Sequence, residues 1–186
     1  MLSQKLTRAW IWTLLALMLT YGACVELRTH RLEQTIPSPL YPFWIESAQR
    51  FRGVRIIAEG HALPNPDRQM QWPDGYVPNH DTVVQEYLLG LMARALQPAD
   101  LHVFVRSATR YLYCLIVFPL FWLGYELTRR KWAGWFGATL YLTLPAAVDR
   151  STGLVLYREN IMMPLLALHL AALYAHFRRE NGTRFI

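Results

Sequence analysis

The residues able to do chemistry fall into two polar stretches of an otherwise apolar chain. The first stretch, 26–104, holds Glu46 and the neighbouring pair His80-Asp81. The second, 149–160, reads DRSTGLVLYREN and holds Asp149, Arg150, Arg158 and Glu159. Carboxylates of this kind serve as general bases or as oxygen ligands of a hard divalent cation such as Mg²⁺ or Mn²⁺. Arginine and histidine supply positive charge for a phosphate. Together these residue types suit chemistry on an anionic, phosphate-bearing substrate. The same types also cap helices and form ion pairs at the ends of membrane spans, where charge costs less than at mid-bilayer. Position therefore has to decide between the two roles.

The elements that must position them are membrane helices. Hydrophobic residues make up 53% of the chain and are clumped rather than periodic, which sets it in the membrane class. The net charge of +6 does not point to nucleic acid, because the basic residues lie beside apolar runs, where they anchor and orient helices. The pattern predicts an all-α integral membrane fold of four transmembrane helices at 9–25, 105–127, 132–148 and 161–177. A cytoplasmic N-terminus (1–8) precedes them, and a cytoplasmic end (178–186) follows that reads as a truncation of a longer protein. The basic start and apolar core of the first run also fit a cleaved signal peptide. Lys5 and Arg8, Arg129-Arg130-Lys131 and Arg178-Arg179 all fall inside under the positive-inside rule. That rule makes 26–104 a long external loop and 149–160 a second one, in an inner (cytoplasmic) membrane.

The long loop carries two helical patterns. Tyr41, Trp44, Ile45, Ala48 and Phe51 recur at spacings of three and four, as in an amphipathic helix lying in the membrane interface. Val83, Val84, Tyr87, Leu88, Leu91 and Met92 form the apolar face of a second helix, started by Asp81 and Thr82 and ended by Pro98. Trp72-Pro73-Asp74-Gly75 between them reads as a turn. Cys24 and Cys114 read as small apolar residues within helices, and no cysteine or histidine spacing matches a metal motif. His169 reads as an interhelical hydrogen-bond partner.

These motifs, in this order, resemble the N-terminal part of GT-C type integral-membrane glycosyltransferases, and most of all the catalytic subunit of oligosaccharyltransferase. SPLYPFWIESAQRFRG resembles the family stretch that begins Asp-Pro-Tyr-Tyr-His and runs into a helix. NPDRQMQWPDGYVPNHDTVVQEYLLGLM resembles its Asp-Pro and Tyr-Pro-Asp-Gly segments, and DRSTGLVLYREN its second acidic motif. The chain departs from the pattern at Ser38, where the family has its first acid, and at Pro42, where it has His. Glu46 or Glu33 is left to supply the missing carboxylate. Arg158-Glu159-Asn160 replaces two spaced acids, an arrangement similar to relatives that work without metal.

The resemblance implies transfer of a sugar or glycan from a polyprenyl-phosphate-linked donor to a protein or glycan acceptor outside the cytoplasm. Glu159 and Glu46 are the expected catalytic carboxylates. Arg150, Arg158, His80 and Asp81 are the expected substrate-binding residues, and no residue is assigned to metal. The competing reading is a non-catalytic membrane scaffold or degenerate relative in an envelope assembly, which Ser38 and Pro42 favour. Both readings place 46 and 159 on one side of the bilayer. Cysteines introduced singly at 46 and 159 should react with a membrane-impermeant thiol reagent from the same side; labelling from opposite sides would sink the topology.

Overall fold

Residues 2–38, 40–43, 45–70, 74–77 and 83–180 are described by the computed structural model, side chains excepted at 2–9, 45, 179 and 180. Every regular element among the described residues is helical. In chain order these are α1 (Leu2–Thr35), α2 (Ile45–Ala58), α3 (Val84–Leu96), α4 (Leu101–Cys114), α5 (Val117–Thr128), α6 (Lys131–Thr143), α7 (Pro145–Arg150) and α8 (Glu159–Glu180). Three stretches are long and apolar enough to cross a membrane: Trp10–Thr35, Leu101–Thr128 and Glu159–Arg178.

These limits differ from the expected ones in an instructive way. The first helix does not stop at Val25 but runs ten residues further, through Arg28, so the loop expected from 26 begins beyond Thr35. The charged continuation is stabilised because Cys24, Arg28, Leu32 and Ile36 share one buried face at helical spacing. The second span likewise starts early, at Leu101, where Asp100 caps α4 by accepting from the Val103 N–H at 2.9 Å. The segment expected to cross at 132–148 is broken at Leu144, ahead of Pro145, into α6 and α7. Proline removes a helix donor and disfavours helical backbone in the residue before it. Thirteen residues of α6 reach about 20 Å.

α1, α4–α5, α6 and α8 alternate in direction and pack around Leu17, Cys24, Val25, Tyr113, Cys114, Val117, Phe121, Ala138, Leu142 and Ala167. Both cysteines are free and buried in this core, as small apolar residues would be. One end of the bundle gathers basic groups. The Lys131 ammonium lies 3.7 Å from the Trp10 ring centroid, Arg129 pairs with Glu126 at 3.0 Å, and Arg178 donates to the Glu126 carbonyl. The opposite end receives both polar stretches of the sequence.

At that opposite end three buried arginines strap the α7–α8 connector to the bundle. Arg28 donates to Ser151 Oγ at 2.7 Å and to the carbonyls of Cys24 and Leu142 at 3.1 Å each. Arg106 donates to the carbonyls of Gly153 at 2.6 Å and Leu154 at 3.4 Å, and to that of Tyr41. Arg110 reaches Thr152 O at 3.5 Å and Ser107 Oγ at 3.1 Å. Gly153 lies so close to α4 that a Cβ there would sit 2.6 Å from Arg106 O, and its φ of +81° suits glycine alone. Leu156 N donates to Ser47 Oγ at 3.0 Å, which ties the same connector to α2.

A second core joins α2, α3 and α4 through Phe43, Phe51, Val54, Leu89, Val105, Ala108 and Leu156. Here the structure shows which faces pack against the protein. α3 buries Gln85, Glu86, Leu89, Gly90 and Ala93, while Val84, Tyr87, Leu88 and Leu91 point outward. α2 buries Ser47, Phe51, Val54 and Ile57, and Ala48 is exposed. The reason is closeness of approach. A Cβ on Gly90 would lie 2.7 Å from the Ile57 side chain and 2.9 Å from Val54 O. Only the glycine face of α3 lets α2 come this near, and the apolar stripe is left outside.

The contact yields a contrast between two helix glycines. Gly90→Ala should destabilise the detergent-solubilised protein by about 1–3 kcal/mol through overpacking. Gly22, where an added Cβ meets nothing within 4 Å, should gain about 0.5–1 kcal/mol as alanine. Thermal unfolding of the two variants beside the wild type measures both.

Candidate functional site

A cavity of about 380 Å³ opens between α2, α3, the segment between them and the α7–α8 connector. Its polar lining is Glu46, Arg50, Asp67, Glu86 and Arg158; Ile56, Leu63 and Met70 are among its apolar walls. Each polar group is brought there by a local device. α2 carries Glu46 and Arg50 one helical turn apart, so both face the same side. The wall opposite is a closed turn in which Asp67 and Tyr76 exchange backbone hydrogen bonds at 2.7 and 3.0 Å. Asp74 and Gly75 belong to that turn, Gly75 with a φ of +83°. The expected reading of 72–75 as a turn therefore holds at 74–75; Trp72 and Pro73 lie outside the described residues.

Asp67 fastens this wall to α2 and is consumed in doing so. Its two oxygens accept from Arg52 Nε at 3.0 Å and Nη2 at 3.2 Å, and Oδ1 also accepts from Gln69 N at 3.1 Å. A bidentate pair of this kind is among the stronger charge-assisted contacts. Glu86 differs. It is only 6% exposed, on the inward face of α3, and Arg50 Nη1 approaches its Oε1 at 3.4 Å. Oε2 has no hydrogen-bond partner among the described residues. Burial pushes the Glu86 carboxyl above the ordinary carboxylate range; its own backbone N–H, Arg50 and Arg158 pull the other way without cancelling the shift.

The residues expected from sequence divide accordingly. Glu46 and Arg158 meet at the cavity; Glu46 is exposed and Arg158 half-buried. Glu159 is exposed at the start of α8 and does not line it. Arg150, at the end of α7, places its guanidinium 5.7 Å from the Tyr157 ring centroid. Asp149 pairs with Arg31 at 3.0 Å in solvent. His80 and Asp81 lie outside the described residues. Glu33 is exposed on α1, and Ser38 Oγ accepts from Leu40 N at 3.2 Å, a local turn contact. Among the described residues no three His, Cys, Asp or Glu side chains converge as a metal site.

Glu86 is not among the residues singled out from the sequence, where the α3 segment is described by its apolar face alone. A signal was present: Glu86, Gly90 and Ala93 follow at spacings of four and three, so the small residues that permit close packing share a face with the carboxylate. Comparison with protein-family models, with curated proteins and with solved structures found no match.

The raised Glu86 carboxyl makes stability depend on pH with a definite sign. Between the ordinary carboxylate range and the raised value, the native state keeps a proton that the unfolded chain has released. Glu86 should therefore lower stability as pH rises through that window and contribute no slope below it. Unfolding measured across the weakly acidic range should be flatter for Glu86→Gln than for the wild type. An unchanged slope would show that Glu86 titrates as an exposed carboxylate does.

Proposed function

We propose that the chain is part of a membrane glycosyltransferase of the GT-C type that uses a polyprenyl-phosphate-linked donor. It would transfer a sugar or glycan to a protein or glycan acceptor on the extracytoplasmic face of the inner membrane. The observation that carries this reading is the cavity itself. It unites carboxylates and guanidinium groups from the three segments that resemble the family motifs, at the end of the bundle away from the basic cluster. In this reading the segment 132–148 completes a fourth span, and the N-terminus with the basic cluster is cytoplasmic.

The division of labour follows from charge and position. Arg158 and Arg50 hold the donor phosphate and take up the charge that develops as it leaves. The exposed carboxylate of Glu46 stands where an acceptor would enter. Glu159, one residue beyond Arg158, keeps its candidacy by its place in the motif. The described residues do not supply a three-ligand metal centre, so departure of the phosphate is assigned to the guanidinium groups and no step is routed through Mg²⁺ or Mn²⁺.

A scaffold reading has one observation in its favour. Two of the cavity carboxylates already face arginines, Asp67 with Arg52 and Glu86 with Arg50, as structural ion pairs do. Transfer from radiolabelled polyprenyl-phosphate glucose or polyprenyl-diphosphate N-acetylglucosamine, with the full-length protein in vesicles and cell membranes as acceptor, separates the two. Arg158→Ala should lower the rate by about 100-fold, the usual effect of losing one preorganised charge at a leaving group. A wild-type protein that is folded and transfers nothing would favour the scaffold.

A further inference from the structure

We propose that Glu86 is the catalytic base of the transfer, accepting the acceptor's proton on its carboxylate as the glycosidic bond forms. The assignment rests on the transferase reading above and deepens it. Three carboxylates stand at the cavity, and their surroundings set them apart. Asp67 has both oxygens occupied by Arg52 and a backbone N–H. Glu46 is exposed, so water competes for its oxygens. Glu86 alone is both buried and left with an oxygen that meets no donor among the described residues.

A buried carboxylate oxygen without a donor is costly, and the remedy is a partner from the adjoining cavity. An O–H or N–H of an incoming acceptor is such a partner. Burial also raises the proton affinity of this carboxyl, which brings it nearer to neutral pH, where a base both takes and returns protons. The charged groups around it are Glu46, Arg50 and Arg52 on α2, Asp67 on the opposite wall, and Arg158 on the connector. Arg50, at 3.4 Å from Oε1, is the one side chain that holds the carboxylate among the described residues.

The step balances without a further reactant. The acceptor oxygen or nitrogen attacks the anomeric carbon of the donor sugar. Its bond to that carbon forms while the bond from the carbon to the phosphate oxygen breaks. The electron pair leaves with the lipid phosphate, beside Arg158 and Arg50. The acceptor proton passes to the Glu86 carboxylate, and the protonated carboxyl returns it to solvent through the cavity mouth.

The test uses the full-length protein in vesicles, with the two radiolabelled donors named above and membranes as acceptor. Glu86→Gln should reduce kcat by about 100-fold or more with KM little changed. Glu86→Asp should keep a measurable fraction, and Glu59→Gln, an exposed pair with Arg55 far from the reaction, should match the wild type. The acid limb of the wild-type pH–rate profile should lie above the ordinary carboxylate range and vanish in Glu86→Gln. An independent arm needs no turnover: the infrared carboxyl band lost in Glu86→Gln should titrate in the wild type above the exposed carboxylates. An active Glu86→Gln, or a Glu86 band that titrates with the exposed groups, overturns the base assignment and leaves the transferase reading standing. A folded wild type that consumes neither donor overturns both.

Discussion

Three guanidinium groups buried beneath the α7–α8 connector hold the rest of this molecule in place. Arg28, Arg106 and Arg110 come from two different spans and all donate to the same short run, 151–154. A buried charge is expensive unless its donors are used, and here carbonyl and hydroxyl oxygens take up most of them, Arg110 Nε being left without a partner among the described residues. The consequence is geometric. The connector cannot shift relative to α1 and α4 without exposing several charge-assisted bonds at once. Arg158, a few residues along, inherits that fixed position, and the cavity gains one rigid wall.

The other walls depend on an inversion of polarity in the α2–α3 pair. A helix on a water-soluble protein turns its polar face to solvent. α3 does the opposite, with Gln85 and Glu86 inward and Val84, Tyr87, Leu88 and Leu91 outward. Such an arrangement is economical where the surroundings are apolar, and it delivers a carboxylate to an interior that is otherwise Phe51, Val54 and Leu89. Asp67 and Arg52 then act as a clasp that closes the intervening segment over the space between the two helices.

Much of this was legible from residue types. The apolar runs predict four spans, of which three appear as helices of spanning length; the basic clusters predict which helix ends lie together, and Glu46 and Arg158 are legible as candidates from residue type and position. What escaped was contextual. Arg28 read as the start of a loop, since a lone sequence gives no sign that Ser151 and Leu142 O wait for it 114 or more residues away. Pro145 follows a break in the third apolar run, which apolar composition alone does not reveal. Apolar periodicity marks one face of α2 and one of α3 without saying whether lipid or protein covers it. Backbone proximity, set by Gly90, outranked hydrophobicity.

The shortness of α6 has a consequence for the lipid around it. Beside it run neighbours that extend for 26 and 28 residues, while α6 ends after thirteen. A hydrocarbon slab is about 30 Å thick, and α6 covers about 20 Å of it. In the proposed four-span reading, the bilayer beside α6 pinches inward or the whole bundle leans to hide the deficit, on the flank where Pro145 and Val148 form a shallow notch with Leu27.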